Sequence, residues 1–90
     1  MFILDVREPN EYQICRIAGS TLIPLGELTS RIADVQAAAG SRDIVVHCKM
    51  GARSAKAVRL LRERGVNSAS NLKGGILAWI DRVDPTQPKY

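Results

Sequence analysis

The amino-acid sequence predicts an α/β domain built on a small, mainly parallel sheet. Three observations carry this. Phe2-Ile3-Leu4-Asp5-Val6 and Asp43-Ile44-Val45-Val46-His47 are short, continuous apolar runs rather than alternating ones, the pattern of strands buried on both faces of a parallel sheet. Segments of helical periodicity separate the strand-like runs, and glycines close them. Ninety residues, 46% hydrophobic and 24% charged, suffice for one core and exclude two domains.

The elements follow in order. After the first strand, Thr21-Leu22-Ile23 is a second short run, closed by Pro24. Leu25, Leu28, Ile32, Val35 and Ala39 recur at helical spacing and Gly40 follows as a C-terminal cap, which predicts one amphipathic helix over 25–39. Asp43 to His47 is the third strand. Arg53 to Arg64 is predicted as a helix with Ala57, Leu60 and Leu61 on one face and Gly65 at its end. Ser68 to Leu72 is a less apolar strand. Gly74-Gly75 turns the chain into a last helix, Ile76 to Val83, and Pro85 and Pro88 mark an irregular tail over 84–90. Residues 1–90 thus form a single domain with helices on both faces of the sheet and neither repeats nor an internal linker. The chain opens almost directly on a strand of central character, which suggests that an N-terminal edge element is missing.

Several function classes are disfavoured. No apolar run approaches the roughly 20 residues that span a bilayer, and no basic segment followed by a signal-like stretch opens the chain, so a cytoplasmic protein without a membrane partner is expected. Cys15 and Cys48 are too few for a disulfide framework, and no second Cys/His pair completes a zinc site with His47, so no metal or cofactor is expected. The formal charge of +4 points to an acidic partner or anionic substrate, although scattered Lys and Arg also serve as plain solvated surface. Aromatics make up 4% and no basic run is interleaved with them, which argues against a nucleic-acid stacking platform.

The stretch Val45-Val46-His47-Cys48-Lys49-Met50-Gly51-Ala52-Arg53-Ser54 carries the chemistry. A strand ending at His47 and a helix beginning near Arg53 leave Cys48 to Ala52 wrapped around a helix N-terminus. Free N–H groups and the positive end of the helix dipole favour an anion there. Comparable sites lower a thiol pKa from ~8.5 into the range of about 3.5–7.5. Gly51 permits backbone conformations that a Cβ forbids, and Lys49 and Arg53 add positive charge. The bland alternative is that Cys48 is a small buried hydrophobe at a strand end. The cysteine, glycine and arginine in a strand–loop–helix setting favour the cradle for a small anion.

Cys48-x-x-Gly51-x-Arg53-Ser54 resembles the active-site loop of rhodanese-family sulfurtransferases. Leu4-Asp5-Val6-Arg7-Glu8 resembles the family's first signature, Ile17-Ala18-Gly19-Ser20 with Ile23-Pro24 resembles the segment that follows it, and Asn71-Leu72-x-Gly74-Gly75-Ile76-x-Ala78-Trp79 resembles the closing one. The match covers about residues 2–82. Arg16 stands where the family usually has histidine, with Cys15 before it. That variant, Lys49 beside the cysteine and the ending Asp84-Pro85-Thr86-Gln87-Pro88-Lys89-Tyr90 are similar to the C-terminal rhodanese domain of MoeB/ThiF-type adenylyltransferase/sulfurtransferases.

The resemblance implies a rhodanese-like fold and a two-step transfer. Cys48 takes a sulfane sulfur, becomes a persulfide and hands the terminal sulfur to an acceptor. Backbone N–H groups of Lys49, Met50, Gly51, Ala52 and Arg53 would hold the persulfide, Arg53 would shape the loop and add charge, and Lys49 would attract an anionic donor such as thiosulfate. In the narrower subgroup the donor is a cysteine desulfurase persulfide and the acceptor a ubiquitin-fold sulfur carrier serving molybdopterin, thiamine or tRNA thiolation. Asp5 and Arg7 are expected to pair and support the site, His47 to be a hydrogen-bonded strand-end histidine, Trp79 to fill core beneath the last helix, and Cys15 to be a packed thiol. Two rivals remain. Phosphatase or arsenate-reductase chemistry uses a cysteine and an arginine one residue farther apart than the four that separate Cys48 from Arg53. A non-catalytic rhodanese-like binding module would ordinarily lack the cysteine.

Overall fold

The computed structural model describes residues 1–90 as four parallel strands and five α-helices. In chain order these are β1 (Phe2–Asp5), α1 (Pro9–Ile14), β2 (Thr21–Leu22), α2 (Leu25–Leu28), a 3-10 turn (Thr29–Arg31), α3 (Ile32–Ala39), β3 (Ile44–His47), α4 (Ala52–Glu63), β4 (Ala69–Asn71) and α5 (Gly75–Val83). The sheet runs β2-β1-β3-β4, so β1 is internal, as its apolar run requires. No helix is long and apolar enough to cross a membrane.

Alternate residues of the strands face different layers. Phe2 and Leu4 of β1, with Ile44 and Val46 of β3, pack against Leu28, Val35, Ala57 and Leu61 from α2, α3 and α4. Ile3 turns to the other side, where Ile17, Leu72, Ile76, Trp79 and Ile80 form a smaller cluster under α5. Helices therefore cover both faces, as expected. Each fully buried aliphatic side chain in these layers contributes about 1.5–3 kcal/mol of transfer free energy.

One local expectation fails, and one helix was not foreseen. The segment 25–39 is not one helix. Leu28, Val35 and Ala39 are buried at helical spacing, but the 3-10 turn at Thr29–Arg31 interrupts the run, and the Ser30 hydroxyl donates to the Glu27 carbonyl at 2.9 Å. Side-chain bonding of this kind competes with the helical ladder. Helix α1 has no counterpart in the apolar pattern. Its start is set by Pro9 at the first position and by a reciprocal capping box between Glu8 and Glu11.

The chain steps from β1 outward to β2 and then returns across β1 to β3. The crevice at the carboxyl ends of β1 and β3 is such a reversal point, where ligands bind in open α/β sheets. Asp5 and His47 are register partners there, each the last residue of its strand.

Candidate functional site

Cys48 is the residue after β3, and Gly51 caps α4. The Gly51 φ of 129° lies where a side chain would be strained, and this turn aims N–H groups inward. The Gly51 N–H donates to Cys48 Sγ at 3.1 Å, and the Ser54 N–H reaches it at 3.4 Å. Of the five N–H groups expected around the sulfur, Gly51's makes this bond and Met50's adds a weaker pull, while Ser54, from the first turn of α4, supplies the second bond instead.

The Ser54 hydroxyl extends the arrangement. It lies 3.4 Å from Cys48 Sγ, 2.6 Å from Asn71 Oδ1 and 3.1 Å from the Gly51 carbonyl, which also accepts from Asn71 Nδ2 at 3.3 Å. One hydroxyl proton cannot serve all three. With Cys48 protonated, the thiol can donate to Ser54 Oγ while the hydroxyl bonds Asn71; with Cys48 ionised, the hydroxyl proton can turn to sulfur. Burial pushes the Cys48 thiol up, but the Ser54 hydroxyl and the N–H groups of Ser54, Gly51 and Met50 outweigh it and hold the thiol below its ordinary value.

The loop's carbonyls are drawn away from the sulfur by α5. The Ile76 N–H donates to the Cys48 carbonyl at 2.9 Å and the Leu77 N–H to the Lys49 carbonyl at 3.3 Å. This approach needs glycine: a Cβ on Gly75 would collide with the Lys49 carbonyl group and the Cys48 carbonyl oxygen. Peptide planes so fixed leave N–H groups facing Sγ, an arrangement suited to negative charge.

Around this centre the expected side chains take distinct places. Arg53 forks onto Glu11, Nη1 to Oε1 at 2.6 Å and Nη2 to Oε2 at 2.9 Å. The expected extra charge at the sulfur is thus largely offset by a carboxylate, and Arg53 ties the loop to α1. The Arg53 hydrogen bonds draw Glu11 below the usual carboxylate range, against its partial burial. Lys49 places its ammonium 4.3 Å over the ring of Tyr90, so the irregular tail returns to the loop. Gln87 anchors that tail by bonding both the N–H and the carbonyl of Arg16 at 3.1 Å. Met50 and Ala52 are exposed, and with Cys48, Lys49 and Arg53 they line a shallow depression of about 200 Å³.

Beneath the loop, Asp5 and Arg7 pair in full burial at 2.8 Å, and Arg7 Nη2 donates to the Cys15 carbonyl at 2.7 Å. Cys15 is buried as a free thiol, 3.6 Å from Arg7 Nη1. Trp79 is half-buried against the α5 cluster. His47 departs from expectation: it is fully buried, yet neither ring nitrogen has a hydrogen-bond partner, and the nearest charge is Asp5 Oδ2 at 3.7 Å from Nε2. Burial outweighs Asp5 and holds the imidazole neutral at physiological pH.

The structure therefore adds Glu11, Ser54, Asn71, Gly75 and Tyr90 to the residues that shape the site. Ser54, Asn71 and Gly75 stand within the loop and closing motifs, but only their meeting in space reveals what they touch.

Comparison with known proteins agrees with this geometry. The chain is 40% identical to the adenylyltransferase and sulfurtransferase MOCS3-1 of Zea mays over 98% of its own length, and it spans only 20% of that protein. It superposes on a rhodanese-related protein from Thermoplasma volcanium with a TM-score of 0.81 at 36% identity, covering 97% of this chain and 80% of that one. It also superposes on the human single-domain sulfurtransferase TSTD1 with a TM-score of 0.77 at 29% identity, covering 90% and 81% respectively. The model of the rhodanese-like domain matches residues 1–82, nearly the whole chain, and the chain belongs to the rhodanese-like domain family.

Proposed function

We propose that this chain is a sulfurtransferase domain that carries sulfane sulfur as a persulfide on Cys48. The observation that carries the reading is the pair of N–H groups, from Gly51 and Ser54, directed at a sulfur whose thiol is held below its ordinary value. Two of the similar proteins bear the name sulfurtransferase, which supports the same chemistry.

In the loading step, the Cys48 thiolate attacks the outer sulfur of a donor. A sulfur–sulfur bond forms on Cys48, the donor's own bond to that sulfur breaks, and the electron pair leaves with the donor. The N–H groups that hold the thiolate also meet charge on the persulfide, so no buried anion is left without donors. In the second step an acceptor nucleophile takes the outer sulfur and Cys48 returns as thiolate. Neutral His47 is not needed as a base, because the N–H groups of Gly51 and Ser54 and the Ser54 hydroxyl favour the thiolate without one.

Thiosulfate and a cysteine desulfurase persulfide are the donor classes we propose, and a ubiquitin-fold sulfur carrier is the proposed protein acceptor, in keeping with the likeness to an adenylyltransferase and sulfurtransferase. Cytoplasmic operation is part of the same proposal. The shallow depression over Cys48 suits contact with a protein surface as well as with a small anion.

The test is formation of thiocyanate from thiosulfate and cyanide, with hydrolysis of p-nitrophenyl phosphate measured in parallel. The expected result is Cys48-dependent thiocyanate and no phosphate release above a Cys48→Ala control. Phosphate release through Cys48 at a rate rivalling sulfur transfer would instead assign the loop to phosphoryl chemistry.

A further inference from the structure

The net charge of the chain is not spread over its surface. Helix α4 with its cap Arg64 holds Arg53, Lys56, Arg59, Arg62 and Arg64 against one acid, Glu63. The remaining chain has eight basic and eight acidic residues, so the whole net charge of +4 resides on this one element.

Most of these cations are free of carboxylates. Arg53 is held by Glu11, Arg31 has Glu27 and Asp34, and Lys89 has Asp81. Lys56, Arg59, Arg62 and Arg64 are all exposed, and none has a carboxylate within 4.0 Å. Arg62 is nonetheless fixed, because its Nε and Nη2 donate to the Ala69 carbonyl at 3.1 and 2.8 Å. Arg59 stands between two shallow depressions, one shared with Ala55, Val58 and Arg62, the other with Lys56 and Leu60. Glu63 borders both.

We infer that this outer face of α4 docks an acidic surface of the protein that donates sulfur to Cys48. The inference rests on the sulfurtransferase reading above and names where a protein donor binds. Ala52, the first residue of α4, lines the depression over Cys48; at ~1.5 Å per residue, Lys56 lies about 6 Å and Arg59 about 10 Å farther along the axis. A partner footprint of roughly 800 Å² covers that span in one contact.

Charge argues for a donor at this place. Loading joins a thiolate to a persulfide, and any donor persulfide that is itself ionised is repelled by the Cys48 thiolate as the two approach. The reacting pair is the Cys48 thiolate and the donor's protonated persulfide: the Cys48 S–S bond forms, the donor S–S bond breaks, the donor departs as thiolate, and the proton stays on the transferred sulfur. Cations beside the loop favour this encounter and its acidic carrier without touching the reacting sulfurs. The pattern also favours protein over nucleic acid. Glu63 would repel a phosphate backbone, whereas a protein surface can present one cation to Glu63 among carboxylates, and Leu60, Ala55 and Val58 supply apolar area that phosphates leave unused.

The test compares wild type with Lys56→Glu/Arg59→Glu, using two donors: thiosulfate, and the cysteine desulfurase of the same organism charged with L-cysteine. Loading of Cys48 is followed by intact mass. The double variant is expected to lose tenfold or more of the second-order rate from the desulfurase at low salt, a defect that shrinks as salt rises, with thiosulfate loading within about threefold of wild type. Arg59→Gln should fall between the two, which guards against misfolding of the double variant. Loss from neither donor, with both still loading Cys48, overturns the docking surface and leaves the sulfurtransferase reading standing. Failure of wild type to load from either donor removes that reading instead. If the variant loads normally from the desulfurase but wild type alone retards a single-stranded oligonucleotide at 0.15 M salt, the face serves nucleic acid and the inference is wrong.

Discussion

Arg53 and Glu11, 42 residues apart, meet in a two-pronged ion pair of 2.6 and 2.9 Å that joins the start of α4 to α1. The pair makes the arginine of the loop motif a tether rather than a free cation beside the sulfur. Glu11 is 8% exposed and Arg53 35%, so solvent screens the pair in part and its worth is about 1 kcal/mol after discounting.

Glu11→Gln should therefore lower stability by about 1 kcal/mol at neutral pH and slow sulfur loading by loosening the loop. The Arg53 hydrogen bonds hold the Glu11 carboxyl below its ordinary value, so its contribution is complete above the pH where an unfolded glutamate titrates, ~4.3, and disappears as pH falls through the lower folded value. Urea unfolding of both proteins at a series of pH values should show the gap closing in acid. A gap that persists unchanged at the lowest pH would mean the ion pair is not its source.

Ser54→Ala removes the hydroxyl 3.4 Å from Cys48 Sγ and with it one of the influences that lower the thiol. The inflection in the rate of iodoacetamide alkylation should move to higher pH, with the rate at pH 6 falling several-fold. Asn71→Ala is expected to shift it less, since Asn71 acts through the hydroxyl and the Gly51 carbonyl. Superimposable profiles for all three proteins would exclude the hydroxyl from thiol activation.

The local part of this site was legible because its information is local. Cys48, Gly51 and Arg53 lie within six residues, and a strand followed by a helix dictates where their N–H groups point. The partner of Arg53 was not legible, because Glu11 sits in a six-residue helix whose only sequence marks are Pro9 and two glutamates. Ser54 and Asn71 were visible as motif members, but a distance of 2.6 Å across 17 residues depends on the β3–β4 register. The break at Thr29–Arg31 escaped for another reason: Leu28 and Ile32 keep helical spacing through it, so apolar periodicity reports burial and not continuity of the helix. The tail escaped too, since Pro85 and Pro88 forecast irregularity and not that Tyr90 would cover Lys49.

Cys15→Ser should leave sulfur transfer within about twofold of wild type. Cys15 is a buried thiol beside Arg7, away from the N–H groups that serve Cys48, and serine can still accept from Arg7 Nη1. Steady-state thiocyanate formation measures this. A loss equal to that of Cys48→Ala would place Cys15 in the transfer path.

Lys49→Ala should raise the thiosulfate KM about two- to fivefold at low salt with kcat little changed, the effect of a half-buried, solvent-screened charge worth ~0.5–1 kcal/mol. Because Tyr90 holds the ammonium beside the loop, Tyr90→Ala should cause a smaller rise in the same parameter. Both differences should shrink as salt is added. An unchanged KM at low salt would remove Lys49 from donor capture.

The central claim, that Cys48 is a sulfur carrier, is tested most directly by the intact mass of the protein after incubation with thiosulfate and removal of excess reagent. The expected spectrum shows a gain of one sulfur atom on wild type and on Cys15→Ser, reversed by cyanide or dithiothreitol, and none on Cys48→Ala. Wild type that keeps its unmodified mass, with Cys48 still reactive to iodoacetamide, would contradict the account.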